Sequence, residues 1–67
     1  MTALLSEDRC LVEREDRPLG IIVGEEHGYV IYACAEHLWA LDRKVFPSLG
    51  AAEKQIILRD RNTAAKG

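Results

Sequence analysis

The chain has 67 residues, of which 48% are hydrophobic and 30% charged, and its formal net charge is −2 with a pI near 5.6. A chain of this length forms one small domain that buries only ~60% of its unfolded surface, so its stability is marginal unless something supports it. The composition argues against wholesale disorder, and no apolar run approaches the ~20 residues that span a bilayer.

Both ends of the chain are predicted to be flexible, in residues 1–8 and 62–67 of a single domain that covers residues 1–67. Termini are ordered only when other elements hold them, so we expect a frayed segment or a single turn at residues 1–8. This segment turns acidic too early for a signal peptide, which needs a basic start and a longer apolar core. We therefore expect a cytoplasmic protein without a membrane partner.

The first half of the chain predicts strands joined by a tight turn. Residues 9–14 weakly favour a strand, but six residues do not settle the period and a short helix is the alternative. A turn is predicted at residues 15–18, because proline fixes its own φ and disfavours the helical region for the residue before it. Residues 19–23 predict a strand, with Gly20 and Gly24 on one face, where another group approaches closely or a bulge sits.

The densest apolar run is residues 28–41, which read GYVIYACAEHLWAL. Residues 29–34 are mostly β-branched or aromatic and predict a strand, and residues 37–41 are interpreted as the next one. The turn before this run is predicted to end in a left-handed glycine, Gly28. Alternation gives both faces of these strands apolar side chains, whereas a sheet with one wet face alternates apolar with polar residues.

One helix is predicted from about residue 48 to residue 60. Ser48 is the expected N-cap, and Leu49, Ala52 and Ile56 form the expected core stripe, with Ile57 beside it. The order of elements predicts an α+β fold: a small antiparallel meander of three or four strands, followed by one C-terminal helix packed on one face. The sequence does not indicate which face the helix covers.

Metal binding and catalysis are not expected. Cys34 and His37 have a spacing that zinc accepts, but Cys10 and His27 lack any motif spacing, so we predict no metal or other cofactor. The two cysteines are interpreted as reduced, mostly buried thiols. Cys34 and His37 are also the one candidate pair of nucleophile and base, and a domain this small rarely encloses a pocket of ~300–1,000 Å³. We expect no enzyme.

Protein association is the predicted function, because the sheet is apolar on two faces and one helix covers only one. Exposed apolar patches mark partner surfaces. Residues 1–36 contain eight acidic and three basic residues, and residues 37–67 three acidic and six basic ones, an asymmetry that can also mark such a surface. We expect a homodimer or an unknown protein partner; in the alternative monomer, Leu4 and Leu5 cover the open face. The predicted interaction residues are Val30, Tyr32, Leu38, Trp39 and Leu58.

Nucleic-acid binding is the alternative function, since strand aromatics can stack on bases. The basic residues assigned to it are Arg43, Lys44, Arg59 and Arg61. Residues 46–56 follow the pattern F-x-S-x-x-x-A-x-x-x-I and resemble the strand-to-helix junction of three-stranded, arm-type DNA-binding domains of phage integrases, a generic pattern that identifies no family. The acidic net charge and the lack of a basic run on any strand argue against this function.

Overall fold

A computed structural model describes the backbone of residues 2–6 and 8–66 and the side chains of residues 8–63. Its elements in chain order are β1 (Thr2–Ser6), β2 (Arg9–Arg14), β3 (Arg17–Glu25), β4 (Gly28–Ala33), a 3₁₀ helix (Glu36–Leu41), β5 (Val45–Phe46) and α1 (Leu49–Lys66). Within the described residues, five strands form one antiparallel sheet in the order β1-β2-β3-β4-β5. The predicted α+β architecture, a meander followed by a C-terminal helix on one face, is confirmed.

Two tight turns set the register of the central strands. Glu15 and Asp16 join β2 to β3 with φ angles of 53° and 62°, a conformation in which both central residues of a two-residue hairpin loop have positive φ. Gly28 ends the β3–β4 turn at φ 135°, as the predicted glycine turn requires. A Cβ atom at Gly28 would lie 2.6 Å from the carbonyl oxygen of Phe46, so glycine also allows β5 to approach.

Residues 37–41 are not a strand, and that prediction is wrong. They belong to the 3₁₀ helix, in which residues three apart lie on the same side. Leu38 and Leu41 therefore both face inwards, at 1% and 5% exposure, while Trp39 between them is 64% exposed. Alternation in a short apolar run does not distinguish this arrangement from a strand.

Helix α1 begins as the sequence predicts. The hydroxyl of Ser48 accepts a hydrogen bond from the amide of Ala51 at 3.1 Å, which satisfies a free donor of the first turn. Ala52 and Ile56 are fully buried, and Leu49 and Ile57 pack at the edge of the core. The helix thus packs on the sheet through the predicted stripe.

The core lies between α1 and one face of the sheet, which we call the covered face. Gly20 and Gly24 are on this face, where the predicted close approaches occur: a Cβ atom would lie 3.2 Å from the carbonyl oxygen of Tyr32 and 3.3 Å from Tyr29 Cε1, respectively. The buried hydrophobic members of the core are Cys10, Val12, Leu19, Ile22, Ile31, Leu38, Leu41, Ala52 and Ile56.

The segments predicted to be flexible have regular backbone where they are described. Residues 9–14, left open between strand and helix, form strand β2, and Thr2–Ser6 forms β1 beside it rather than a single turn. Helix α1 continues past residue 60 to Lys66. Because β1 lies beside β2 in the sheet, its backbone extends the sheet and does not cross either face. Whether Leu4 and Leu5 cover the open face concerns side chains outside the described ones, and flexibility at both ends stays a prediction.

The open sheet face and the Asp60 cluster

The open face is the side of the sheet opposite α1. Alternation and register assign its members in three rows of paired residues: Leu11, Ile21 and Tyr32; then Arg9, Val23, Val30 and Val45; then Glu25 beside Gly28. Most of the apolar side chains are half-buried, and Val45 is 50% exposed. No helix formed by the described residues covers this side.

Tyr32 crosses the open face diagonally. Its hydroxyl donates a hydrogen bond to Glu25 Oε2 at 2.7 Å, so the side chain spans the row that holds Val23 and Val30. The Arg43 guanidinium lies 5.5 Å from the centre of the tyrosine ring, a cation–π distance. The Glu25 hydrogen bond is the main cause that raises the pKa of the Tyr32 phenol. Val30 beneath this stack is only 7% exposed.

A shallow depression of about 410 Å³ lies on the open face. Its apolar floor is formed by Ile21 and Val23, and Arg9, Glu25 and Tyr32 complete the wall. Among the described side chains no carboxylate lies within ion-pair distance of Arg9. The depression therefore has the Arg9 guanidinium, unpaired among the described side chains, on one side of its apolar floor and the Glu25 carboxylate on the other.

The predicted interaction residues do not form one surface. Leu38 is 1% exposed and belongs to the core, because the 3₁₀ helix turns it towards α1, and Val30 is buried beneath Tyr32. Only Tyr32 lies accessibly on the open face. Trp39, on the 3₁₀ helix, and Leu58, on the outer side of α1 at 40% exposure, are exposed elsewhere. Sequence reasoning missed Arg9, Ile21 and Val23, which become neighbours only when the register is known.

The predicted nucleic-acid residues are divided between the two layers. Arg43 stacks on Tyr32 at the open face, with Lys44 next to it in the chain. Arg59 and Arg61 are exposed on α1, which packs against the other face. The two pairs therefore do not combine into one basic patch along the sheet.

Asp60 is the centre of a polar cluster that the sequence analysis did not identify. At 7% exposure it is the one buried charged residue among the described side chains. Its Oδ2 accepts from Arg14 Nη1 and its Oδ1 from His37 Nε2, each at 2.7 Å. Both contacts have charge-assisted geometry, and they connect β2, the 3₁₀ helix and α1. Asp60 follows Ala52 and Ile56 at the same four-residue spacing along the buried stripe of α1. This spacing was the signal in the sequence that could have predicted a buried Asp60.

The candidate metal and thiol residues lie apart. Cys10 is buried in the core, where burial is the main cause that raises the pKa of its thiol. Cys34 is exposed, so the expectation of a mostly buried thiol holds for Cys10 and is wrong for Cys34. His27 lies in the exposed β3–β4 turn, and His37 is bound to Asp60. The described residues contain no group of three or more histidine, cysteine or acidic side chains arranged to hold a metal ion.

Of the helices formed by the described residues, none has the length and apolar character needed to cross a membrane. Searches against protein-family models, curated proteins and solved structures found no match to this chain.

Proposed function

We propose that the protein is a non-catalytic association module that forms a symmetric homodimer through the open face. The single observation that carries the proposal is the accessible apolar row on a sheet that α1, among the described residues, covers on the other side. Side chains such as Ile21, Val23 and Val45 gain ~1.5–3 kcal/mol each on complete burial, and somewhat less here because two of them are half-buried already. Two-fold pairing is the commonest way to close such a surface.

The size of the face determines how tight the dimer can be. Strands ~4.8 Å apart and rows ~6.8 Å apart give an area on the order of 400 Å² per copy. This is below the roughly 800 Å² per partner of standard interfaces, so the complex belongs among the small, transient ones. We expect a dissociation constant of about 10–100 μM, since association also costs translational and rotational freedom. The exposed free thiol of Cys34 fits a reducing, cytoplasmic setting for such a module.

Sedimentation over a dilution series tests the proposal. The wild-type chain is expected to change from monomer to dimer across the micromolar range. Ile21→Lys is expected to remain monomeric, because it places a charge in the centre of the open face. Leu58→Lys is the matched control: it makes the same chemical change on the outer side of α1 and should leave the dimer intact. Circular dichroism confirms that both variants fold.

A monomer mass for the wild type at high micromolar concentration would contradict the proposal. Loss of the dimer in Leu58→Lys but not in Ile21→Lys would show that the interface lies on the outer side of α1 and not on the open face. The alternative function, nucleic-acid binding, is favoured by the Arg43–Tyr32 stack on the open face, but Glu25 beside it repels phosphates. We propose that no salt-sensitive complex with single-stranded or duplex nucleic acid forms, which titration at low salt measures directly.

A further inference from the structure

We infer that reciprocal ion pairs between Arg9 of one copy and Glu25 of the other set the register of the dimer, about a two-fold axis that passes beside Val23. This inference rests on the proposed function and adds the contact that selects one arrangement among several apolar ones. Arg9 and Glu25 are the two charged residues that line the depression.

The positions of the two charges on the sheet make the patch self-complementary. Arg9 is directly opposite Val23 in the β2–β3 ladder, and Glu25 follows two residues later on β3. They are therefore diagonal neighbours, with Cα atoms ~7–8 Å apart, and Val23 lies close to the line midway between them. When two copies face each other, a two-fold axis along that line places each Arg9 over the opposite Glu25 and each Val23 against its equivalent.

Both charged groups have capacity for this contact. Arg9 is exposed, and no described carboxylate lies within ion-pair distance of it. Glu25 uses Oε2 to accept from Tyr32, which leaves Oε1 available for a guanidinium donor. The tyrosine also fixes the direction of the carboxylate, so less side-chain freedom is lost when the second copy binds. A partner with one sign of charge would meet an unfavourable group at one end of the depression.

A charge-swap series tests the register. Arg9→Glu and Glu25→Arg each create two like-charge contacts across the axis, and each is expected to raise the dimer dissociation constant about tenfold or more. The double variant, which exchanges the charges, is expected to return to within about threefold of the wild type. Tyr32→Phe is the control for the hydrogen bond that Glu25→Arg also removes, and it should weaken the dimer less than Glu25→Arg does.

The possible failures are distinguishable. If Ile21→Lys abolishes the dimer while Arg9→Glu leaves its dissociation constant unchanged, the proposed function stands and the ion pair is wrong. If the double variant is as weak as the two single effects combined, the residues act independently and the register is wrong. If the wild type remains a monomer at high micromolar concentration, the proposed function fails and the inference fails with it.

Discussion

Replacing Asp60 by alanine is predicted to lower the free energy of unfolding by ~2 kcal/mol. The substitution removes two hydrogen bonds to charged groups, each contributing ~1.5–3 kcal/mol when both partners are buried. The side chains of Arg14 and His37 are 34% and 33% exposed, so both regain water and the full sum does not apply. Alanine also has the higher helix propensity, which offsets ~0.5 kcal/mol. The net loss is therefore close to the free energy that one such hydrogen bond contributes.

Urea unfolding followed by circular dichroism measures this loss, at a concentration where the chain is monomeric so that association does not contribute. Gln55→Ala is the control, since it makes an alanine substitution at an exposed position of the same helix. Arg14→Ala completes a double-mutant cycle: in that background Asp60→Ala should cost less, because one of its bonds is already absent. If Asp60→Ala and Gln55→Ala agree within ~0.5 kcal/mol, the cluster does not hold the helix and the reasoning is refuted.

Four further predictions concern individual glycine, aspartate and cysteine residues. Gly28→Ala should lower the free energy of unfolding by ~2 kcal/mol or more, because residue 28 has a positive φ and an added Cβ would collide with the carbonyl oxygen of Phe46. An unchanged melting temperature would contradict this. Asp16→Gly should raise the free energy of unfolding by ~0.5 kcal/mol, since glycine adopts the φ of 62° found at Asp16 without strain. A higher denaturant midpoint would show this gain. Cys34 should react quickly with a thiol reagent and Cys10 slowly. Burial raises the pKa of the Cys10 thiol in the folded state above its unfolded value. The contribution of this thiol to stability is therefore fully present at a pH below the unfolded pKa and is lost as the pH rises through the folded pKa, and Cys10→Ala should remove that slope.

The parts of the fold that the sequence predicted depend on local signals. Ser48 is followed by good helix formers, the strand at residues 19–23 is rich in β-branched residues, and Gly28 occupies a turn that requires positive φ. Each signal lies within a few residues. Residues 37–41 were wrongly predicted to be a strand because the apolar run is too short to show its period. The i, i+3 spacing of Leu38 and Leu41, which is typical of a 3₁₀ helix, occurs there only once.

The sites depend on contacts that no local pattern contains. Asp60 meets Arg14 and His37 across 46 and 23 positions of the chain, and only the packing of α1 brings them together. Arg9 and Glu25 become diagonal neighbours through the β2–β3 register, which contains an irregularity between Val12 and Glu13. A register shifted by one residue would move one of the charges to the covered face. Alternation could thus assign the residues of a single strand to the two faces, but it could not show which residues of neighbouring strands lie beside each other.

The most direct test of association through the open face is methyl NMR over a dilution series from low to high micromolar concentration. Association through the open face predicts concentration-dependent shifts at the methyl groups of Leu11, Ile21, Val23 and Val45, while those of Leu58, on the outer side of α1, stay constant. Shifts confined to Leu58, or no change at any of these methyl groups, would contradict it.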